Sequence, residues 1–90
     1  QAANWIAYTL LLKGKSLDNL GRFEESIATL DRALEYDPNY VELLNEKGLI
    51  LMKLNRYSEA LQSFDEALKH KPRYGEALKN KEIAERNIIQ

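Results

Sequence analysis

Apolar residues recur along most of the chain at intervals of three and four, which is the spacing of an amphipathic α-helix. One such stripe runs through residues 41–51 and another through residues 60–68. The alternation of apolar and polar residues that is typical of a half-buried strand is missing. The pattern predicts an all-α fold of five helices, with approximate bounds 4–19, 23–36, 39–53, 57–70 and 73–88.

The chain repeats itself with a period of 34 residues. When residues 7–40 are set against residues 41–74 without a gap, 12 of the 34 positions are identical. Many identities fall on Gly, Pro and apolar positions, which are the residue types that set backbone shape and packing. The period predicts two helical hairpins and a fifth helix that opens a third unit.

The ends of the predicted helices also repeat. Gly21 and Asn55 occupy the same place between the two helices of each hairpin. Both residue types readily adopt the left-handed conformation that ends a helix, so we expect two equivalent helix stops. At the start of the third helix, Asp37 is expected to be the N-cap, with Pro38 as the first helical residue.

Two glycines lie in the middle of predicted helices, at equivalent positions. Glycine there costs roughly 0.5–1 kcal/mol relative to alanine. A cost that recurs at Gly14 and Gly48 predicts a close approach by the second helix of the same hairpin. Ala33 and Ala67 are the small residues expected to face these glycines.

Together these positions resemble the tetratricopeptide repeat (TPR) family, whose period is 34 residues. The second unit carries the pattern Leu44, Gly48, Leu51, Tyr57, Ala60, Phe64, Ala67 and Pro72. The resemblance implies repeat 1 at residues 7–40, repeat 2 at 41–74 and a capping helix at 75–90. It further implies an α-solenoid of stacked antiparallel hairpins in a right-handed superhelix. Such a fold binds peptides or partner proteins on its concave face and is not catalytic as a rule.

The family's concave positions define a candidate ligand groove. In this chain they are Tyr8, Leu11, Lys15, Glu42, Asn45, Glu46, Leu49, Met52, Glu76, Lys79, Asn80 and Ile83. One TPR subgroup grips the C-terminal carboxylate of heat-shock chaperones with a lysine, two asparagines, a lysine and an arginine. Those places are held here by Leu11, Lys15, Glu46, Glu76 and Asn80, and none of them matches. We therefore expect a protein or peptide partner other than a chaperone tail, apolar with some basic character.

The first helix is apolar on nearly all sides, although an amphipathic helix needs only one apolar stripe. Candidate self-association residues are Trp5, Ile6 and Leu12, with Ile88 and Ile89 at the far end. Solenoids usually need about three units for stability. The alternative function is thus a structural segment that stacks end to end as a homo-oligomer. A further alternative is the regulatory arm of a larger enzyme, because a chain that starts with Gln1 is expected to be a fragment.

Composition narrows the remaining classes. A net charge of −1 argues against a nucleic-acid partner, which needs a cationic surface. The absence of cysteine is compatible with a reducing compartment, and a cytoplasmic location is expected. No apolar run approaches the roughly 18 residues of a membrane span, so no membrane partner is expected. His70 has no local nucleophile or orienting carboxylate, and we expect no catalytic residue, cofactor, metal site or enzymatic activity.

Overall fold

The computed structural model describes the backbone of residues 2–89 and the side chains of residues 5–89. Over this range there are five α-helices: α1 Ala2–Asn19, α2 Phe23–Tyr36, α3 Val41–Lys53, α4 Tyr57–His70 and α5 Gly75–Ile89. The predicted all-α fold is confirmed. The bounds of α2 and α4 are those that the sequence predicts, and the other ends differ by one or two residues.

The helices stack in chain order. α1 packs along α2, α3 along α4, and α5 covers the other side of α4. α2 also contacts α3, which joins the two hairpins, while α1, α3 and α5 meet along a common inner layer. The molecule measures 42 × 29 × 17 Å. This arrangement is the predicted α-solenoid of stacked hairpins.

Most of the core lies between the paired helices. The largest fully buried side chains include Leu11 and Leu30 in the first hairpin and Leu43, Ile50 and Phe64 in the second. A smaller cluster of Leu44, Ala67 and Ala77 joins the second hairpin to α5. Burial of each large apolar side chain stabilises the fold by roughly 1.5–3 kcal/mol, so the stacking itself holds the inner surface in shape.

Ion pairs repeat between consecutive units. Lys47 Nζ lies 2.7 Å from Asp31 Oδ1, and Lys81 Nζ lies 2.9 Å from Asp65 Oδ1. Each pair joins the second helix of one hairpin to the first helix of the next, and the two pairs are 34 residues apart. The repeat in the sequence is therefore also a repeat of the contacts between units.

The predicted helix stops are confirmed. Gly21 has a φ of 79° and Asn55 has a φ of 61°, both in the left-handed region. After each stop, the next backbone N–H reaches back to the last turn of the helix: Arg22 donates to Leu17 O and Arg56 to Leu51 O, both at 2.9 Å. These bonds satisfy carbonyl groups that a helix end otherwise leaves unpaired.

The predicted cap of α3 is wrong. Asp37 is the C-cap of α2, and its N–H donates to Ala33 O. Tyr40 N–H then donates to Asp37 O at 3.3 Å, and α3 begins only at Val41. Pro38 therefore occupies the second position of a four-residue turn, where its fixed φ is also favourable. A proline alone does not distinguish the first residue of a helix from this turn position.

The close approach at the two mid-helix glycines is confirmed, but the facing residues are different from those predicted. A Cβ on Gly14 would stand 2.6 Å from Leu30 Cδ2, and a Cβ on Gly48 would stand 2.6 Å from Phe64 Cζ. The glycines thus make room for the large residues of the opposite helix. Ala33 and Ala67 are fully buried but are not the nearest neighbours of that space.

Candidate functional site

The predicted groove residues lie on the inner layer of first helices, and two contacts join them across it. Lys15 Nζ on α1 lies 3.8 Å from Glu42 Oε2 on α3. Asn80 Nδ2 on α5 donates to Asn45 Oδ1 on α3 at 3.1 Å. Because equivalent positions of parallel first helices lie side by side, residues from three helices form one continuous inner surface.

The exposure of these residues varies. The exposed ones are Tyr8, Glu42, Glu76 and Lys79; the partly exposed ones are Lys15, Glu46, Leu49, Met52, Asn80 and Ile83. Leu49 and Met52 also pack against the core, so only part of each side chain can meet a ligand.

Leu11 is a correction to the predicted groove. Its side chain is 1% exposed and belongs to the main core, because it sits between α1 and its partner helix. Asn45 is the equivalent residue of the next unit and is also buried, at 3% exposure. Its amide is held by Asn80 and by Glu76 Oε1, at 3.4 Å, so Asn45 connects α3 to α5 rather than facing solvent.

An apolar strip of Trp5, Tyr8 and Leu12 lies exposed along α1. Their exposed fractions are 69%, 51% and 46%, and their spacing of i, i+3 and i+7 places them on one helix face. Tyr8 also borders an open depression of about 470 Å³ with Tyr40 and Val41 at the start of α3. The sequence reasoning assigned Leu12 to self-association. The 34-residue offset was the missed signal, since it pairs Leu12 with Glu46 (12 + 34 = 46).

An acidic strip of Glu42, Glu46 and Glu76 faces the same inner surface from α3 and α5. Lys15 lies near Glu42, and Lys53 is held by Asp18 at 2.7 Å. Among the side chains of residues 5–89, no Lys or Arg nitrogen lies within salt-bridge distance of Glu46 or Glu76. The strip therefore keeps negative charge that the fold does not neutralise.

Glu46 is the most perturbed carboxyl group of this surface. Burial raises the pKa of Glu46, and the nearby Asp18 carboxylate raises that pKa further. Lys15 and Lys53 act in the opposite direction but do not cancel these effects. A positive charge beside Glu46 would favour its ionised form, because opposite charges attract strongly where water is partly excluded.

The outer side of α1 differs from the equivalent sides of the other first helices. α3 buries Leu43 and Ile50 completely against the preceding hairpin. The equivalent residues of α1 are Thr9 and Ser16, and both are exposed. The positions that are apolar where units stack are therefore polar on α1, which lacks the apolar surface of a stacked interface.

The candidate self-association residues lie at two separate places. Trp5 and Leu12 belong to the apolar strip, and Ile6 is partly buried. Ile88 and Ile89 are exposed in the last turn of α5. α1 and α5 do not contact each other, so one chain does not bring the two sets together.

His70 lies at the end of α4, with Nε2 3.3 Å from Glu66 Oε2. In the part of the chain that the structure describes, no group of three His, Cys, Asp or Glu side chains could hold a metal ion. Over the same residues, no helix is both long enough and apolar enough to cross a membrane.

The stacked hairpins and their shared inner surface define a helical-repeat protein. The sequence model of the tetratricopeptide repeat matches residues 11–80, and the chain belongs to that family. A search of curated proteins found no match.

Solved TPR structures have the same fold. The first TPR of Spaghetti (RPAP3) bound to the HSP90 peptide SRMEEVD superposes with a TM-score of 0.92 at 19% identity, covering 94% of this chain and 68% of that one. The second TPR of Spaghetti with the same peptide gives 0.91 at 19% identity, with coverages of 94% and 79%. A MamA double mutant, MamA RS-1 ArsTM, gives 0.84 at 25% identity, with coverages of 93% and 47%.

Proposed function

We propose that this chain is a non-catalytic protein-interaction module that binds a segment of a partner protein along its inner surface. The observation that carries the proposal is the apolar strip. Three large apolar side chains stand in solvent on one helix face, although the chain has a core in which to bury such residues. Aromatic and aliphatic side chains in such a position are typical of the anchor points of binding surfaces.

The outer layer offers less for a partner to bind. Between residues 23 and 36, the fully exposed positions of α2 are mostly charged, and the bidentate pair of Arg22 with Glu25 uses part of that charge internally. α4 likewise exposes Glu59, Asp65 and Glu66, which pair with neighbouring basic groups. Solvated ion pairs of this kind contribute little to binding.

A chaperone-type tail is not the ligand that we propose. The peptide in the two Spaghetti structures, SRMEEVD, contains three acidic residues. On this chain such a peptide would meet Glu42, Glu46 and Glu76, and like charges repel. We expect SRMEEVD to bind this chain at least tenfold more weakly than any ligand that suits the inner surface.

The test is selection from a random peptide library, displayed on phage, with the purified chain as bait. The variant Tyr8→Ser with Leu12→Ser removes two residues of the apolar strip. Its matched control is Tyr36→Ser with Leu20→Ser, which changes an exposed tyrosine and an exposed leucine elsewhere on the surface. We expect the first variant to bind selected peptides at least tenfold more weakly and the control to bind them normally. Equal binding to both variants would exclude the inner surface.

A second candidate function is end-to-end self-association, which the exposure of Trp5, Ile88 and Ile89 favours. The polar Thr9 and Ser16 on the outer side of α1 count against it, because they replace the apolar residues of a stacking face. Sedimentation velocity over a range of concentrations distinguishes the two functions. A mass that rises with concentration, and that Ile88→Ser with Ile89→Ser reduces to a monomer, would support self-association.

The same measurement bears on the third possibility, a regulatory arm of a larger enzyme. A monomeric chain that binds peptides through its inner surface could serve such an enzyme equally well. The sequence on either side of these residues in the parent protein would show whether a catalytic domain accompanies them.

A further inference from the structure

The inner surface has two chemically different sides that run next to each other. Tyr8 and Leu12 of the apolar strip are the repeat counterparts of Glu42 and Glu46 of the acidic strip, each 34 residues earlier. α1 and α3 therefore present the same helix positions to the groove, one helix with apolar side chains and the other with carboxylates. A ligand that covers both helices must match both.

The negative charge of the acidic strip is only partly balanced. Lys15 is 3.8 Å from Glu42, which is a long ion pair between exposed groups. Lys53 is 2.7 Å from Asp18, whose side chain is almost buried, so this lysine is already engaged. Among residues 5–89, Glu46 has no cation within salt-bridge distance.

Glu46 is also the position where a ligand's charge would have most effect. It is partly buried, and burial together with the Asp18 carboxylate raises its pKa. A bound cation would compensate both of these costs at once, whereas a bound anion would add to them. The ring of solvent that remains around exposed carboxylates such as Glu42 weakens the same attraction there.

We infer that the groove takes an extended partner segment in which a Lys or Arg side chain contacts Glu46 and an apolar side chain covers Leu12 and Tyr8. This inference rests on the proposed function and names the chemistry of its ligand. Packed helices lie about 8–10 Å apart, and an extended chain advances roughly 3.3 Å per residue. The cationic and apolar side chains are therefore separated by about three residues.

The peptides selected on the chain provide the first test. We expect them to be enriched in Lys or Arg about three residues away from Leu, Phe, Trp or Ile. Selected peptides are then synthesised and their affinities measured by fluorescence anisotropy at low and high salt. Affinity is expected to fall severalfold at high salt, since ions screen the contact with the exposed part of the acidic strip.

A charge exchange provides the second test. Glu46→Lys is expected to weaken binding of a selected peptide at least tenfold. The same peptide with its Lys or Arg changed to Glu is expected to bind Glu46→Lys more tightly than it binds the wild-type chain. The control is Glu35→Lys, an equal change of charge at an exposed residue of α2 that makes no ion pair in the described structure. Glu35→Lys is expected to leave both affinities unchanged.

Folding of the variants is checked by circular dichroism. If Glu46→Lys does not fold, the neutral variant Glu46→Gln decides the question, with an expected loss of three- to tenfold in affinity. Unchanged binding to Glu46→Gln would overturn the inference.

Other outcomes separate this inference from the function on which it rests. Peptides that depend on Tyr8 and Leu12 but lack a basic residue would overturn the inference and leave the proposed function intact. Failure to select any peptide, or selection of peptides insensitive to the apolar strip, would overturn both. A concentration-dependent dimer abolished by Tyr8→Ser with Leu12→Ser would identify a second copy as the occupant and also overturn the inference.

Discussion

The ring of Phe64 fills the space that a side chain on Gly48 would need. A Cβ at residue 48 would stand 2.6 Å from Cζ and 2.8 Å from Cδ1 of that ring. Real Cβ atoms do not come this close to carbon, so the two residues exclude any larger side chain at position 48 unless α3 and α4 move apart. The separation of the helices in the second hairpin is thus set by one glycine and one phenylalanine.

Gly48→Ala is expected to destabilise the chain by about 1–2 kcal/mol. Overpacking typically costs about 1–3 kcal/mol, and the better helix propensity of alanine returns about 0.5–1 kcal/mol. Urea unfolding followed by circular dichroism measures the change. Gly75→Ala is the control, because nothing lies within 4 Å of its added Cβ, and it should be neutral or slightly stabilising. Equal stability of both variants would show that the helices separate without cost.

Asn55→Ala is expected to destabilise the chain by roughly 1 kcal/mol, whereas Asn55→Gly should be nearly neutral. The φ of 61° is disfavoured for a residue with a Cβ, and Asn tolerates it better than Ala. Thermal unfolding of the two variants measures the difference. Asn39→Ala, in a turn without a positive φ, serves as the control and should change little. An Asn55→Ala variant as stable as Asn55→Gly would contradict the assignment of Asn55 as a helix stop.

Asn45→Ala is expected to loosen α5 and to cost about 1–3 kcal/mol, which is typical when a buried polar group loses its partner. Asn45 links α3 to both Asn80 and Glu76 on α5. Hydrogen exchange should therefore become faster in α5 and change much less in α1 and α2. Asn87→Ala removes only an exposed bond within α5, to Ile83 O, and is the matched control. Uniformly faster exchange in all five helices would mean that Asn45 does not act through α5.

Glu46→Gln is expected to stabilise the free chain at pH 7 by about 0.2–1 kcal/mol, the scale of partly exposed charge interactions. Folding raises the pKa of Glu46 above its ordinary value of 4.5. The folded chain therefore binds this proton more tightly than the unfolded chain does. That contribution to stability is fully present below pH 4.5 and is lost as the pH rises through the raised folded pKa. The advantage of Gln should accordingly shrink as the pH is lowered.

The measurement is urea unfolding of both chains between pH 4 and pH 8. The groups that face Glu46 are Asp18, Lys15 and Lys53, and both chains keep them. The pKa values of Glu25 and Glu59 are lowered by bonds to Arg22 and Arg56, and their effect cancels in the comparison. A difference that grows as the pH falls would contradict the sign. Glu35→Gln, at an exposed position, should give a difference independent of pH.

Local sequence predicted most of the helical framework. The helix stops at Gly21 and Asn55 follow from the steric freedom of single residues, so no tertiary information was needed. Asp37 and Pro38 were misassigned because the same two residue types suit either a helix start or a turn. Only the hydrogen bond from Tyr40 to Asp37 O distinguishes these two arrangements. The repeat bounds at 7–40, 41–74 and 75–90 stay a prediction.

The candidate site was predicted less completely. The family pattern pointed to the inner surface, but it placed the buried Leu11 there and left Leu12 out. A rotation of one residue moves a side chain by about 100° around a helix, so a small error in register exchanges core for surface. The burial of Asn45 between α3 and α5 was equally hidden, because a polar residue on an inner helix gives no sign of its partner.

By itself, the sequence determined the period, the five helices, the stops between them and the family, because each depends on the conformational preferences of residues close together in the chain. Only the tertiary structure decided that Leu30 and Phe64 fill the space beside the two glycines. It also decided that the apolar strip and Glu46 share one surface, with Asp18 close enough to disturb its charge. These relationships join residues from different helices, and their distances depend on how the hairpins pack.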